Sequence, residues 1–339
     1  GSIGSYHAVR GGDPLLGIKY SETSIREAEK IDSIDVMAPV TSRLCAFYII
    51  AGEPYKTSLL AFKAIQLIER QNRQHDFFGL GNNVYTALNL YYGHSLAWLG
   101  DFEKGEHYCK KGLEFGQKND SFAGLALAEF LYGYFYMHQG DGQNVIKHFQ
   151  ECIKYCEKGE ALIFMGLAWT GLGMGHFFSH DKETALQCVE KGMKIQKGAG
   201  LPYYLSFHHF ALGMVQAASG KVSQSKESFK TALALSHNHN EGWIEGTSRI
   251  YLGITMARND ELNIETAEES ILEGIQILED RKIKPWSSIG YYILSMLQVH
   301  RGEMGQARVH LNNAEKMFKQ MGMDYWLELI RQSRALTDG

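Results

Sequence analysis

The sequence has 339 residues, of which 45% are apolar and 21% are charged, and its formal net charge is -4. This apolar content excludes a disordered tail, and the near balance of charges gives no general electrostatic reason to expect a nucleic acid or an acidic membrane as partner. The five cysteines show no CxxC spacing, which argues against a disulfide framework or a zinc module and favours a reducing, cytoplasmic compartment.

The N-terminal residues 1–18 are predicted to be a cloning scar, Gly1-Ser2, followed by a flexible junction cut from a longer protein. After it, one sequence pattern recurs along the chain: an apolar helix with a small central residue, a short turn, and an amphipathic helix. The central residues are at positions 45, 93, 133, 173, 213, 253 and 295, so the steps are 48, 40, 40, 40, 40 and 42. Such a constant step predicts a solenoid of antiparallel helix pairs rather than two globular domains.

The predicted fold is all-α: a right-handed α-α superhelix of about seven helix pairs with a period of ~40 residues, forming a single domain over residues 19–336. An insertion near residues 75–81 accounts for the step of 48, and a longer turn at residues 259–263 accounts for the step of 42. The units are expected near residues 36–71, 82–118, 121–158, 161–198, 201–238, 241–281 and 285–320, before a C-terminal capping helix at 323–336.

The small and large positions of this repeat resemble those of the tetratricopeptide repeat (TPR). Glycines at 93, 133, 173 and 213 let the paired helix approach closely, and Phe149 and Phe229 fill the space between layers. Two passages, 75–100 and 321–328, further resemble the helical sensor regions of multidomain bacterial signalling ATPases of the cyclase- and kinase-linked AAA/STAND type. The maltose-regulon activator sensor is a more distant relative. At Asn82-Asn83-Val84 this chain departs from the His-Asp that often precedes the Val in the family.

Charges are unevenly distributed between the two helices of each pair. Residues 77–100, 161–180 and 198–220 contain no Asp, Glu, Lys or Arg, and residues 121–140 contain only Glu129. Runs of this length reach that of a membrane span. The Asn and His residues within or beside the runs and the mean hydropathy of -0.24 argue against spanning, and we predict none.

The uncharged helices are expected to line the concave face, and three interpretations of that face remain open: a sealed interior, an apolar binding groove, or a self-association surface. The groove interpretation predicts that Tyr134, Met174, Phe178 and Met214 are partly accessible and face one cavity. The candidate groove residues are Leu90, His94, Trp98, Phe130, Tyr134, His138, Thr170, Met174, Phe178, Phe207, Phe210 and Met214.

Residue pairs that could carry chemistry have simpler interpretations. His176 and His180 are four residues apart, but no HExxH pattern accompanies them, so we predict no metal site. Cys152 and Cys156 share a helix face that does not suit a disulfide, which favours buried structural thiols. No phosphate-binding loop or nucleophile elbow occurs in the sequence. We therefore predict that the chain is not an enzyme and needs no cofactor.

The TPR resemblance implies a noncatalytic sensor or protein-interaction module of a larger cytoplasmic signalling ATPase. Its partner is expected to be a protein or peptide, or the parent protein's own ATPase or output domain, and a small effector is also considered. The alternative is a free-standing peptide-binding regulator built on similar repeats. An enzyme ranks third, because the inner face lacks the polar constellation that catalysis requires.

Overall fold

The computed structural model describes residues 14–30, 33–202, 204–258 and 264–337, and every regular element among them is an α-helix. The sixteen helices of this described part, in chain order, are α1 Pro14–Lys30, α2 Ile34–Ala51, α3 Pro54–Arg70, α4 Val84–Trp98, α5 Phe102–Asn119, α6 Phe122–Gln139, α7 Gly142–Lys158, α8 Leu162–Phe178, α9 Lys182–Gly198, α10 Leu205–Ala218, α11 Val222–Asn238, α12 Gly242–Ala257, α13 Ile264–Asp280, α14 Lys284–His300, α15 Met304–Met321 and α16 Asp324–Thr337. The predicted all-α solenoid is confirmed.

Helix α1 begins at Pro14, inside the segment predicted to be a junction. Proline suits a first helical turn because the N–H that it lacks has no partner there, and α1 then packs against α2. Residues 1–13 of that junction and the longer turn predicted at 259–263 lie outside the described residues. At the other end, α16 lies in the segment where a capping helix is predicted.

Two kinds of helix alternate along the chain. The even-numbered helices α2 to α14 are the inner helices, and the odd-numbered helices α3 to α15 are the outer ones. All fifteen residues of α4 are buried, whereas α5 buries six of its eighteen. Burial on all sides therefore explains the uncharged runs, because an ion without a partner is costly in the interior. Glu129 of α6 obeys the same rule: it is buried, and its Oε2 lies 2.6 Å from His148 Nδ1 on α7.

The central glycine of an inner helix allows the outer helix of the same pair to approach closely. A methyl group on Gly133 would lie 2.8 Å from the ring of Phe149, and one on Gly93 would lie 2.6 Å from the carbonyl oxygen of Gly105. The contact recurs sixteen residues downstream of each glycine, in Gly93–Cys109, Gly133–Phe149, Gly173–Val189 and Gly213–Phe229. At Gly253 the partner is Ile271, two residues later, which matches the longer turn in that pair.

The superhelix closes on itself. Helix α12 contacts α2, and α14 contacts both α4 and α6. Just before α14, Arg281 Nη1 donates a hydrogen bond of 3.2 Å to the carbonyl oxygen of Ala51, and it lies 3.2 Å from Glu53 Oε1. On the opposite side, Gln139 Nε2 donates to the carbonyl oxygen of Gly322 at 3.1 Å. These contacts join residues up to 230 positions apart, so the concave face has little room to be an open groove.

One described helix, α2, is long and apolar enough to cross a membrane when judged by length and composition. Of its residues, 72% are buried inside the protein, and α1, α3 and α4 pack against it. Packing in the helical core thus accounts for its apolar composition. The absence of membrane spanning stays a prediction.

Candidate functional site

The candidate groove residues are all buried, so the prediction that Tyr134, Met174, Phe178 and Met214 are partly accessible is wrong. Tyr134 is 3% exposed and Met174 is fully buried. The physical reason is the closure of the superhelix, which packs α12 and α14 over the face that the first inner helices present. The four residues also do not face one cavity: Tyr134 and Met214 line two different ones, and the other two line neither.

Six rings from the inner helices meet where α12 and α14 cover α4 and α6. This inner aromatic cluster consists of His94, Trp98, Tyr134, His138, Trp243 and Trp286. The rings of His94 and Trp98 have centroids 4.6 Å apart, and those of Trp98 and Trp243 are 6.1 Å apart. Trp286 Nε1 donates a hydrogen bond of 2.9 Å to His138 Nδ1, which leaves the proton of the neutral imidazole on Nε2. Burial and the neighbouring His94 hold the pKa of His138 well below its usual value.

Beside this cluster lies the inner cavity, with a volume of about 210 Å³. Its mouth is formed by partly exposed residues near the N-terminal ends of α6 and α8, among them Leu127 and Phe164. The lining residues are Ala46, Phe47, Ile49, Ile50, Asn82, Tyr91, His94, Trp98, Leu127, Phe130, Leu131, Tyr134, Ile163, Phe164, Tyr204 and Trp243. Four of the candidate groove residues, His94, Trp98, Phe130 and Tyr134, are therefore brought together here.

The wall of the inner cavity is aromatic and uncharged, since no Asp, Glu, Lys or Arg is among its lining residues. Burial lowers the pKa of His94 to about 3, and a backbone contact with Leu131 acts against that shift. The imidazole is thus neutral at pH 7. Trp243 Nε1 donates to the Tyr204 hydroxyl at 3.3 Å, and that hydroxyl lies 3.5 Å from the carbonyl oxygen of Ile49. These bonds tie the cavity wall to the first helix pair.

Several residues of the cavity wall are not among the candidate groove residues predicted from the sequence. Ala46, Phe47 and Ile50 belong to the first pair, whose match to the repeat is weaker, and Trp243 stands in the first turn of α12, outside the concave register. A tryptophan in the first turn of an inner helix was the available signal. Tyr204 precedes α10 and has a positive φ of 53°, which only the coordinates reveal.

A second cavity, of about 240 Å³, lies between α10, α12, α14 and α16. Of the candidate groove residues, only Met214 lines it. The remaining seven, Leu90, His138, Thr170, Met174, Phe178, Phe207 and Phe210, line neither cavity and belong to the packed interior. Thr170 Oγ1 lies 2.6 Å from His208 Nδ1, a polar contact within that interior.

The residue pairs considered for chemistry have local partners. His176 Nδ1 lies 3.5 Å from Asp181 Oδ2, and His180 sits in the following turn with a φ of 64°. Cys152 and Cys156 are free, buried thiols, and Cys152 Sγ donates to the carbonyl oxygen of Ala126 at 3.2 Å. Among the residues that the structure describes, no three His, Cys, Asp or Glu side chains are grouped to hold a metal ion.

The paired helices and the central glycines define a helical solenoid of the TPR type. No protein-family model and no curated protein matches the sequence. Among solved structures, a chain of the Cut9–Hcn1 hetero-tetramer of the APC/C superposes with a TM-score of 0.60 at 13% identity, over 94% of this chain and 53% of the neighbour. This chain thus spans about half the length of that neighbour.

A second solved chain shares the architecture. A Rap protein in complex with competence and sporulation factor superposes with a TM-score of 0.55 at 13% identity, over 88% of this chain and 99% of the neighbour. A signal-transduction ATPase with numerous domains (STAND) from Pyrococcus horikoshii, which has a TPR sensor, gives a TM-score of 0.47 at 16% identity, over 94% of this chain and 54% of the neighbour. The superpositions on the Cut9–Hcn1 and Rap structures confirm the predicted TPR-like fold.

Proposed function

We propose that this chain is a noncatalytic protein-interaction module whose inner cavity receives an apolar side chain of a peptide or partner protein. The observation that carries the proposal is the inner cavity, with its aromatic wall and partly exposed mouth. Ligand sites in proteins are concave and mostly apolar, with a few placed polar groups. The volume of about 210 Å³ lies below the roughly 300–1,000 Å³ usual for whole ligands. An inserted side chain fits this size better than a complete peptide.

Two neighbours of the same fold support a partner-binding role. The Cut9 neighbour assembles with Hcn1, and the Rap neighbour is complexed with competence and sporulation factor. In this chain the contact is expected at the mouth, near Leu127 and Phe164, because both residues line the inner cavity and are partly exposed.

The wider setting that we propose is the sensor region of a larger signalling ATPase, with the parent's ATPase or output domain as the responding partner. Occupation of the inner cavity would favour the closed superhelix, since α2, α4 and α12 all contribute to its wall. Ligand binding would then act by shifting the population between closed and more open forms. The alternative is a free-standing peptide-binding regulator, and the sequence of the full-length gene distinguishes the two.

The proposal can be tested with peptides selected from a random library against the chain. Phe164→Glu places a carboxylate at the apolar mouth and should weaken the selected peptides by roughly tenfold or more, about 1.4 kcal/mol. The matched control is Leu162→Glu, on the same helix but 62% exposed and outside the cavity lining. Fluorescence polarisation measures both dissociation constants, and circular dichroism verifies that both variants fold.

Peptides that bind Phe164→Glu and Leu162→Glu equally well would exclude the inner cavity as the contact site. The failure of a large library to yield any binder would also count against the proposal. Leu127→Glu, at the opposite side of the mouth, repeats the test should Phe164→Glu fail to fold.

A further inference from the structure

Two polar side chains in the wall of the inner cavity have a nitrogen that makes no hydrogen bond to another side chain. They are the indole Nε1–H of Trp98 and the imidazole of His94, which contacts only the backbone of Leu131, and both residues are 1% exposed. Leaving a buried polar group unpaired costs about 1–3 kcal/mol, and native interiors usually avoid that cost. The other indole in the wall, that of Trp243, has its N–H satisfied by the Tyr204 hydroxyl.

The two unpaired groups are neighbours with complementary hydrogen-bonding roles. His94 and Trp98 are one turn apart on α4, and their ring centroids are 4.6 Å apart. The indole N–H can only donate a hydrogen bond, and a neutral imidazole has one nitrogen that accepts. A hydroxyl group on a ligand satisfies both, because it accepts from Trp98 and donates to His94. A carbonyl satisfies only the donor, and an ammonium only the acceptor.

Size and charge restrict the rest of the ligand. A cavity of roughly 150 Å³ holds a benzene ring, so about 210 Å³ suits one ring with a hydroxyl substituent. No cationic or anionic side chain lines the wall, so a charged ligand would lose its hydration without compensation. We infer that the inner cavity binds the uncharged phenol ring of a tyrosine side chain presented by the partner, with its hydroxyl bonded to Trp98 Nε1 and His94.

This inference rests on the proposed function, since both place the partner's side chain in the inner cavity. Its first test uses wild-type protein and two small probes: p-cresol, which reproduces the tyrosine side chain, and toluene, which reproduces that of phenylalanine. A purely apolar cavity favours toluene, because p-cresol must give up the hydration of its hydroxyl. A cavity whose wall has an unpaired donor and acceptor favours p-cresol, with a dissociation constant roughly threefold to tenfold lower than that of toluene. Titration calorimetry decides between them, and tighter binding of toluene overturns the inference.

The second test removes the donor. Trp98→Phe should abolish the preference for p-cresol over toluene, whereas Trp243→Phe should keep that preference even where the two affinities change. Both substitutions shrink an indole in the cavity wall, but only Trp98 has an unpaired N–H. Retention of the preference in Trp98→Phe would assign the hydroxyl to other groups and overturn the inference. The wild-type probe comparison decides the question should Trp98→Phe be unfolded.

The third test links the probe to the partner and separates the two proposals. Peptides selected on the chain should contain tyrosine, should be displaced by p-cresol, and should weaken by roughly threefold to tenfold on Tyr→Phe replacement. Phosphorylation of that tyrosine should abolish binding, because the wall offers no cation. Selected peptides without tyrosine that still depend on Phe164 would overturn this inference and leave the proposed function standing. Tight p-cresol binding without any peptide binder would mean a free phenolic ligand and would overturn the tyrosine assignment.

Discussion

Glu241 is a carboxyl group held inside the protein, at the residue before α12, where it is 1% exposed. Its Oε1 accepts a hydrogen bond of 3.2 Å from the backbone N–H of Tyr204, and its Oε2 accepts one from Ser206 Oγ. Burial raises the pKa of Glu241 to about 8, although both hydrogen bonds favour the carboxylate. Glu241 lies two residues before Trp243, and it bonds the backbone of Tyr204, so it is next to two residues of the cavity wall.

We expect Glu241 to make the free energy of unfolding fall between about pH 4.5 and pH 8. In this window the folded protein keeps a proton that the unfolded chain has released, so rising pH favours unfolding, by up to about 1.4 kcal/mol per pH unit. Glu241→Gln should remove this contribution and lose less stability than wild type between pH 5 and pH 8. Urea unfolding across that range measures the difference. Glu227→Gln, on an exposed side chain, is the control and should follow wild type.

His94 has the opposite linkage, because burial lowers its pKa. The contribution of the neutral His94 to the free energy of unfolding is complete above its ordinary pKa of about 6.5, and it is lost as the pH falls toward about 3. Since both Glu241→Gln and wild type keep His94, the difference between their pH profiles isolates the carboxyl group. A profile of Glu241→Gln parallel to that of wild type would mean that Glu241 is ionised in the folded protein.

At the scale of the element, exposure differs strongly between positions on one inner helix. In α8, Leu162 is 62% exposed at the N-terminal end, whereas Met174 is fully buried three turns later. The two positions lie on one helix of uniformly apolar composition, so the sequence of α8 does not distinguish them.

We expect Met174→Glu to destabilise the chain by several kcal/mol, because the new carboxylate would be buried without a partner. Leu162→Glu should change the free energy of unfolding by no more than about 0.5 kcal/mol, as is usual for exposed positions. Thermal and urea unfolding of the two variants provide the comparison. Equal stability of both would show that Met174 faces water and that the superhelix is open.

At the scale of the whole molecule, closure distinguishes this chain from an ideal solenoid. In a solenoid each repeat contacts only its neighbours, and its stability is a sum of local terms. Here Arg281 reaches the end of α2, and Trp286 on α14 reaches His138 on α6. The first three pairs are therefore coupled directly to the last two, and the inner aromatic cluster forms part of that contact.

We expect Arg281→Gln to speed amide hydrogen exchange in α2 and α3, because its hydrogen bond to Ala51 and its ion pair with Glu53 are lost. An uncoupled solenoid would respond only in α12, α13 and α14. The control is Arg249→Gln, which breaks an ion pair with Glu273 between the two helices of one pair. Its effect should remain in α12 and α13. Unchanged exchange in α2 and α3 of Arg281→Gln would mean that the closing contact contributes nothing.

The repeat and its helical content were predictable from sequence because they depend on interactions between neighbours along the chain. Gly133 and Phe149 meet across one turn, and their spacing of sixteen residues recurs wherever the turn has the same length. Apolar composition also separated inner from outer helices correctly, as the full burial of α4 shows. Four of the cavity residues, including His94 and Trp98, could be proposed because they fall in the register of the inner helices.

Whether the inner face is a groove or a packed interior depended on the tertiary structure alone. That outcome rests on the accumulated rotation of seven helix pairs, and a small change per pair decides whether Trp243 and Trp286 reach α4 and α6. Contacts such as Arg281 with Ala51 join segments with no local relationship, so no pattern along the chain encodes them. The inner cavity with its two polar groups forms only after this closure. Closure places Trp243 and Tyr204 beside His94 and Trp98, and all four residues line the cavity.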